Sequence, residues 1–137
     1  MPLVRIDVIE GHDPDRLRRI ADAIHRAIVA EFGIPERDRF QVITERSFGH
    51  IIAEDAGLGF ERSADVVVIQ IFTQRGRTAQ DKRDLYSTIA EELGGLGIAG
   101  EDVFIGYVEN GPEDWSFGYG RSQYLTGELS VPGSTAD

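Results

Sequence analysis

The 137-residue chain contains no cysteine, which excludes a disulfide framework and thiolate catalysis or ligation. Lysine is nearly missing as well: Lys82 stands alone beside thirteen arginines. With 24 acidic against 14 basic residues the net charge is −10, and the average field repels a phosphate backbone, so no nucleic-acid partner is expected. Long apolar runs are also absent. No stretch approaches the roughly 20 residues that cross a bilayer, and the N-terminus lacks the positive stretch and apolar run of a secretory signal. A soluble, cytoplasmic protein with no membrane partner is expected. His12, His25 and His50 share no metal-ligand spacing, and Gly57-Leu58-Gly59 lacks the rest of a phosphate loop, so no metal and no nucleotide cofactor is assigned.

What is present reads as a pattern used twice. Leu3-Val4-Arg5-Ile6-Asp7-Val8 alternates apolar and polar residues as a half-buried strand does. Asp13 is a good N-cap and Pro14 suits the first helical position. Leu17, Ile20, Ile24, Ile28 and Phe32 then recur at helical spacing until Gly33. A second strand is predicted from about Phe40 to Thr44, and a long loop or irregular hairpin from Glu45 to Asp65. The pattern then restarts: strand Val66 to Phe72, cap Thr78, a helix carrying Leu85, Ile89 and Leu93, then strand Val103 to Val108. Ile34 aligns with Ile98, Asp38 with Asp102 and Phe40 with Phe104, the mark of an internal duplication.

The expectation is a single α/β (α+β) domain over 1–137, with pseudo-repeats at about 2–45 and 66–108 and a C-terminal hairpin or tail over 109–137. Two tandem βαβ units with right-handed crossovers form a four-stranded mixed sheet. Two helices cover one face of such a sheet, yet Val66-Val67-Val68-Ile69 is apolar at consecutive positions, as in a strand buried on both sides. A second copy of the chain is the expected cover.

Three residue groups carry candidate chemistry. Pro2 follows Met1; with Met1 removed, its ring nitrogen is a secondary amine able to donate a proton, accept one or attack a carbonyl. Arg75 and Arg77 follow the third strand near a helix N-terminus, a good carboxylate site, although on spacing alone a solvated turn is the commoner origin of such a pair. Asp38, between the first helix and second strand, suits a base or a water-orienting group, whereas its match to Asp102 suggests a shared turn role. Trp115, Phe117 and Tyr119 alternate with small residues, which sets three rings on one face of an extended segment, to wall a pocket or pack an interface.

The N-terminal Pro2 on a strand, the duplicated βαβ units and the arginine pair together resemble the tautomerase superfamily, and within it the malonate semialdehyde decarboxylase family. The likeness runs from Pro2 to about Leu129. It includes Phe32-Gly33-Ile34-Pro35, Asp38-Arg39-Phe40-Gln41, Glu54-Asp55-Ala56-Gly57-Leu58-Gly59, Val108-Glu109-Asn110, Asp114-Trp115-Ser116-Phe117-Gly118 and Leu125-Thr126-Gly127-Glu128-Leu129. The resemblance implies a homotrimer and a cofactor-independent lyase acting on a small carboxylate substrate. It implies Pro2, Asp38, Arg75 and Arg77 as catalytic groups, with Arg75, Arg77, Trp115 and Phe117 binding substrate. Decarboxylation of malonate semialdehyde is the first expectation; a hydratase or tautomerase of small unsaturated or 2-oxo acids is the alternative. A non-enzymatic oligomeric interaction protein is the reading from a different class. At the arginine site, family decarboxylases resemble Arg-Pro-Arg where this chain has Gln74-Arg75-Gly76-Arg77.

Overall fold

In the computed structural model, which describes residues 1–131, strand β1 (Leu3–Ile9) leads into helix α1 (Pro14–Phe32) and strand β2 (Phe40–Arg46). Strand β3 (Val67–Gln74), helix α2 (Ala79–Gly94) and strand β4 (Val103–Asn110) repeat the order. A single helical turn, α3 (Gln123–Thr126), follows. Of the tail expected over 109–137, residues 132–137 lie outside the described residues. The described part of it is built from a short 3-10 turn, an isolated bridge between Gly118 and Arg121, and α3.

The helix ends follow from their sequence. Asp13 accepts a hydrogen bond from the Arg16 N–H at 2.8 Å, and Gly33 closes α1 in the left-handed region at φ 64°, where a Cβ is disfavoured. Thr78 and Asp81 form a reciprocal capping box that starts α2. Both strands of each unit run parallel, and the units join through antiparallel β1 and β3, giving the order β2-β1-β3-β4. The mixed sheet is as expected. No helix among the described residues is long and apolar enough to cross a membrane.

Side-chain alternation divides the sheet into two faces. Val4, Ile6 and Val8 of β1 share a face with Ile69 and Ile71 of β3 and pack against Ile20, Ile24, Ile28, Leu85 and Ile89 of the helices. The opposite face presents Leu3, Phe40, Val42, Val68, Phe72, Phe104 and Val108 by register. Of these Phe40, Val42, Phe104 and Val108 are 40–48% exposed. An apolar sheet face left this open marks an association surface.

Candidate functional site

A cavity of about 560 Å³ opens where the first residue, the α1–β2 loop, the β3–α2 turn and the C-terminal segment converge. The loop contributes Ile34, Pro35, Arg37 and Asp38; the turn contributes Arg77.

Asp38 owes its position to the turn after α1, where its N–H donates to the Pro35 carbonyl at 3.0 Å. Asp102 sits in the same turn of the second unit, its N–H donating to the Ala99 carbonyl at 3.0 Å. There the likeness ends. Asp102 is satisfied: both of its oxygens accept from Ser63, one from the backbone N–H and one from the hydroxyl, each at 2.6 Å. Asp38 instead faces the start of the chain, with Oδ2 3.8 Å from the Met1 amine and Oδ1 buried without a partner. Burial pushes the Asp38 carboxyl above its ordinary range, opposed by the terminal cation and by His25. His25 also fixes this loop, its Nε2–H donating to the Glu36 carbonyl at 2.8 Å.

The terminal amine is held below its ordinary value, first by burial and then by Arg77, while Asp38 acts in the opposite sense. Pro2 is buried behind it. Its nitrogen is three bonds from that amine, which standard bond lengths keep within about 4 Å.

Arg77 reaches the cavity because Phe32 holds it twice. The guanidinium donates to the Phe32 carbonyl at 3.1 Å and lies 4.5 Å from the centroid of the Phe32 ring. Arg75 is not brought to the cavity. Its N–H continues the β3–β4 ladder by donating to the Asn110 carbonyl at 2.8 Å, and its side chain is exposed, 4.0 Å from Glu113. The cause lies between them: Gly76 adopts φ 127°, a conformation closed to proline, and the bend sends the two arginines apart.

Of the aromatic residues, Phe117 lines the cavity. Trp115 stacks on Phe117 at 6.1 Å and 3° between planes, and its indole N–H donates to Asn110 Oδ1 at 2.7 Å. Trp115 therefore stands behind the wall and orients it. The expectation of three rings on one face fails at Tyr119, which has φ 58° and is 94% exposed. Tyr119 and Gly120 form the turn that the Gly118–Arg121 bridge closes, so the extended alternation ends before Tyr119.

Sequence reasoning missed Tyr124 and Arg37. Tyr124, buried on α3, lines the cavity and meets the Phe117 ring edge-on at 5.2 Å. Burial and then the Asp38 charge push its hydroxyl up to about 12, so it remains a proton-bearing donor at neutral pH. Arg37 is exposed and lines the same cavity. Adjacency to Asp38 was the available signal for Arg37. Tyr124 carried none, since a four-residue helix has no periodicity to read. Among the described residues no group of three or more His, Asp or Glu side chains could hold a metal.

The sequence and the fold are similar to those of known proteins over nearly the whole chain. Family models described as tautomerase enzyme match residues 38–118 and 2–61. The probable tautomerase YrdN of Bacillus subtilis (strain 168) is 42% identical over 130 residues, covering 94% of this chain and all of that protein. The crystal structure of FG41 malonate semialdehyde decarboxylase inhibited by 3-bromopropiolate superposes with a TM-score of 0.92 at 52% identity, covering 95% of this chain and 99% of that one. A second malonate semialdehyde decarboxylase gives 0.88 at 36% identity, over 93% and 98% of the two chains. A fused 4-OT that forms a symmetric trimer shares the fold at 0.74 and 23% identity, covering 91% of this chain and 98% of that one. With the duplicated fold, the matching family models and these relatives in agreement over nearly its full length, the chain belongs to the tautomerase superfamily of enzymes, and within it to the malonate semialdehyde decarboxylase family.

Proposed function

We propose that the protein is a cofactor-independent decarboxylase of a small 3-oxo acid such as malonate semialdehyde, working through the Pro2 amine after Met1 is removed. The observation that carries this reading is the convergence on one cavity of the chain's first residue, Asp38 and Arg77. The substrate carboxylate binds Arg77, and its carbonyl oxygen lies beside the Pro2 nitrogen. The bond to the carboxylate carbon breaks with its electrons flowing toward that oxygen. A protonated Pro2 stabilises the growing enolate charge, and Tyr124 is placed to add a second hydrogen bond. The enolate carbon then takes up one proton, giving acetaldehyde and carbon dioxide. A neutral Pro2 offers the second route, an iminium that accepts the same electrons. The apolar face of Phe117, backed by Trp115, favours neutral carbon dioxide over the substrate's carboxylate.

Hydration of an unsaturated oxo acid is supported by a separate feature, the partnerless Oδ1 of Asp38. That oxygen suits a water held for attack, with Pro2 protonating carbon. The open sheet face supports a homotrimer as the working form.

Measurements on the purified protein decide the matter. Intact mass must show Met1 absent and Pro2 unmodified; carbon dioxide release from malonate semialdehyde must then follow enzyme concentration. Water addition without carbon dioxide release selects the hydratase, and neither activity from a free Pro2 selects the non-enzymatic reading. Borohydride added with substrate marks the iminium route by a mass increment at Pro2.

A further inference from the structure

We infer that the site accepts 3-oxo acids whose carbonyl carries an apolar chain of about four carbons, beyond the three-carbon acid. This rests on the assignment of Pro2, Asp38 and Arg77 above and adds the substrate's far end to it.

Three observations point there. The first is capacity: about 560 Å³ falls within the roughly 300–1,000 Å³ that holds ligands of drug size, several times what a three-carbon acid fills. The second is the occupant already present. Met1 lines this cavity with only 7% of its surface exposed, its amine beside Asp38. When Met1 leaves to free Pro2, its thioether side chain vacates an apolar space of four non-hydrogen atoms next to the reacting nitrogen. The third is the segregation of the lining. The charged groups Arg37, Asp38 and Arg77 lie on the loop and turn, whereas Phe40 and Phe117 with Tyr124 and Leu129 of the C-terminal segment supply a largely apolar remainder. Burying a polar substituent there leaves it unsatisfied, and burying a chain does not.

The chemistry needs no further reactant. A chain-bearing 3-oxo acid loses its carboxylate as carbon dioxide, the bond's electron pair moving toward the ketone oxygen. The enolate carbon then takes one proton from the Pro2 ammonium, reloaded from water, and the product is a methyl ketone.

The test uses the processed protein and straight-chain carboxylates from propanoate to octanoate as competitive inhibitors of turnover, with 3-oxobutanoate and 3-oxohexanoate assayed for carbon dioxide release. Inhibition constants are expected to fall about threefold to fourfold per added methylene over about four carbons and then level off, and kcat/KM is expected to be higher for 3-oxohexanoate than for 3-oxobutanoate. Leu129→Asn should flatten the dependence on chain length. Constants that stay flat or rise with length, while malonate semialdehyde is decarboxylated, overturn this inference and leave the assignment of the reacting groups intact. No turnover of any 3-oxo acid and no inhibition by any carboxylate overturn both. Turnover confined to the longer acids supports the inference and moves the three-carbon acid out of first place.

Discussion

Replacing Asp38 by Asn removes the negative charge that faces the chain terminus and nearly keeps the shape of the side chain. The carboxylate stabilises the protonated amine, so its loss lowers the amine's pKa. At 3.8 Å two unit charges in a medium of effective dielectric about 20 interact by roughly 4 kcal/mol, near three pH units at about 1.36 kcal/mol each. Solvent reaches this site and Pro2 lies a residue further on, so about one to two units is the expected fall. The measurement is an NMR titration of protein carrying ¹⁵N-labelled proline, following the Pro2 amine in wild type and Asp38→Asn. The sign propagates to activity. If the protonated amine is the working form, kcat/KM holds below its pKa and declines above, and the alkaline limb moves to lower pH. If the neutral amine attacks, the acidic limb moves down by the same amount. A Pro2 titration that stays in place, or moves up, refutes the electrostatic pairing of Asp38 with the terminus.

The two arginines are expected to separate cleanly. Arg77→Ala should raise KM for the acid at least tenfold, whereas Arg75→Ala should change kcat/KM less than twofold, since an exposed ion pair contributes little; steady-state kinetics on both variants checks this. Gly76→Pro forces φ to about −65° at a residue standing at 127°. It should therefore destabilise the turn by 2 kcal/mol or more, about the cost of a strained backbone, read from urea midpoints. Phe104→Asp places a charge on the open sheet face, and sedimentation should then show subunits dissociating while far-ultraviolet circular dichroism is retained. Ile69→Ala, fully buried between sheet and helices, should cost about 2–5 kcal/mol of stability in chemical denaturation.

The fold was readable because periodicity and caps agreed at every boundary that mattered. Asp13, Pro14, Gly33 and Thr78 stand where the structure uses them, and the sheet's exposed apolar face was implied by consecutive valines in β3. The site was readable only in part. Asp38 and Arg77 meet Met1, the residue before Pro2, at one cavity because each lies at the end of an element whose position the repeat specified, and Phe117 joins them from the C-terminal segment. Arg75 and Trp115 diverge for local reasons that spacing does not carry: a positive φ at Gly76, and an indole drawn off by Asn110. Tyr124 was illegible, since 86 residues separate it from Asp38 and the irregular C-terminal segment closes that gap without a pattern.

Because Asp38 and Asp102 occupy equivalent turns, each half of the subunit has a place where an aspartate overlooks the start of an inner strand. Only Asp38 faces an amine, that of Met1 at 3.8 Å. In the other half the backbone runs on through Ser63, which takes both oxygens of Asp102, and a chain passing through has no amine to offer. Under the function proposed above, a single reacting centre per subunit follows from this difference between two otherwise matching turns.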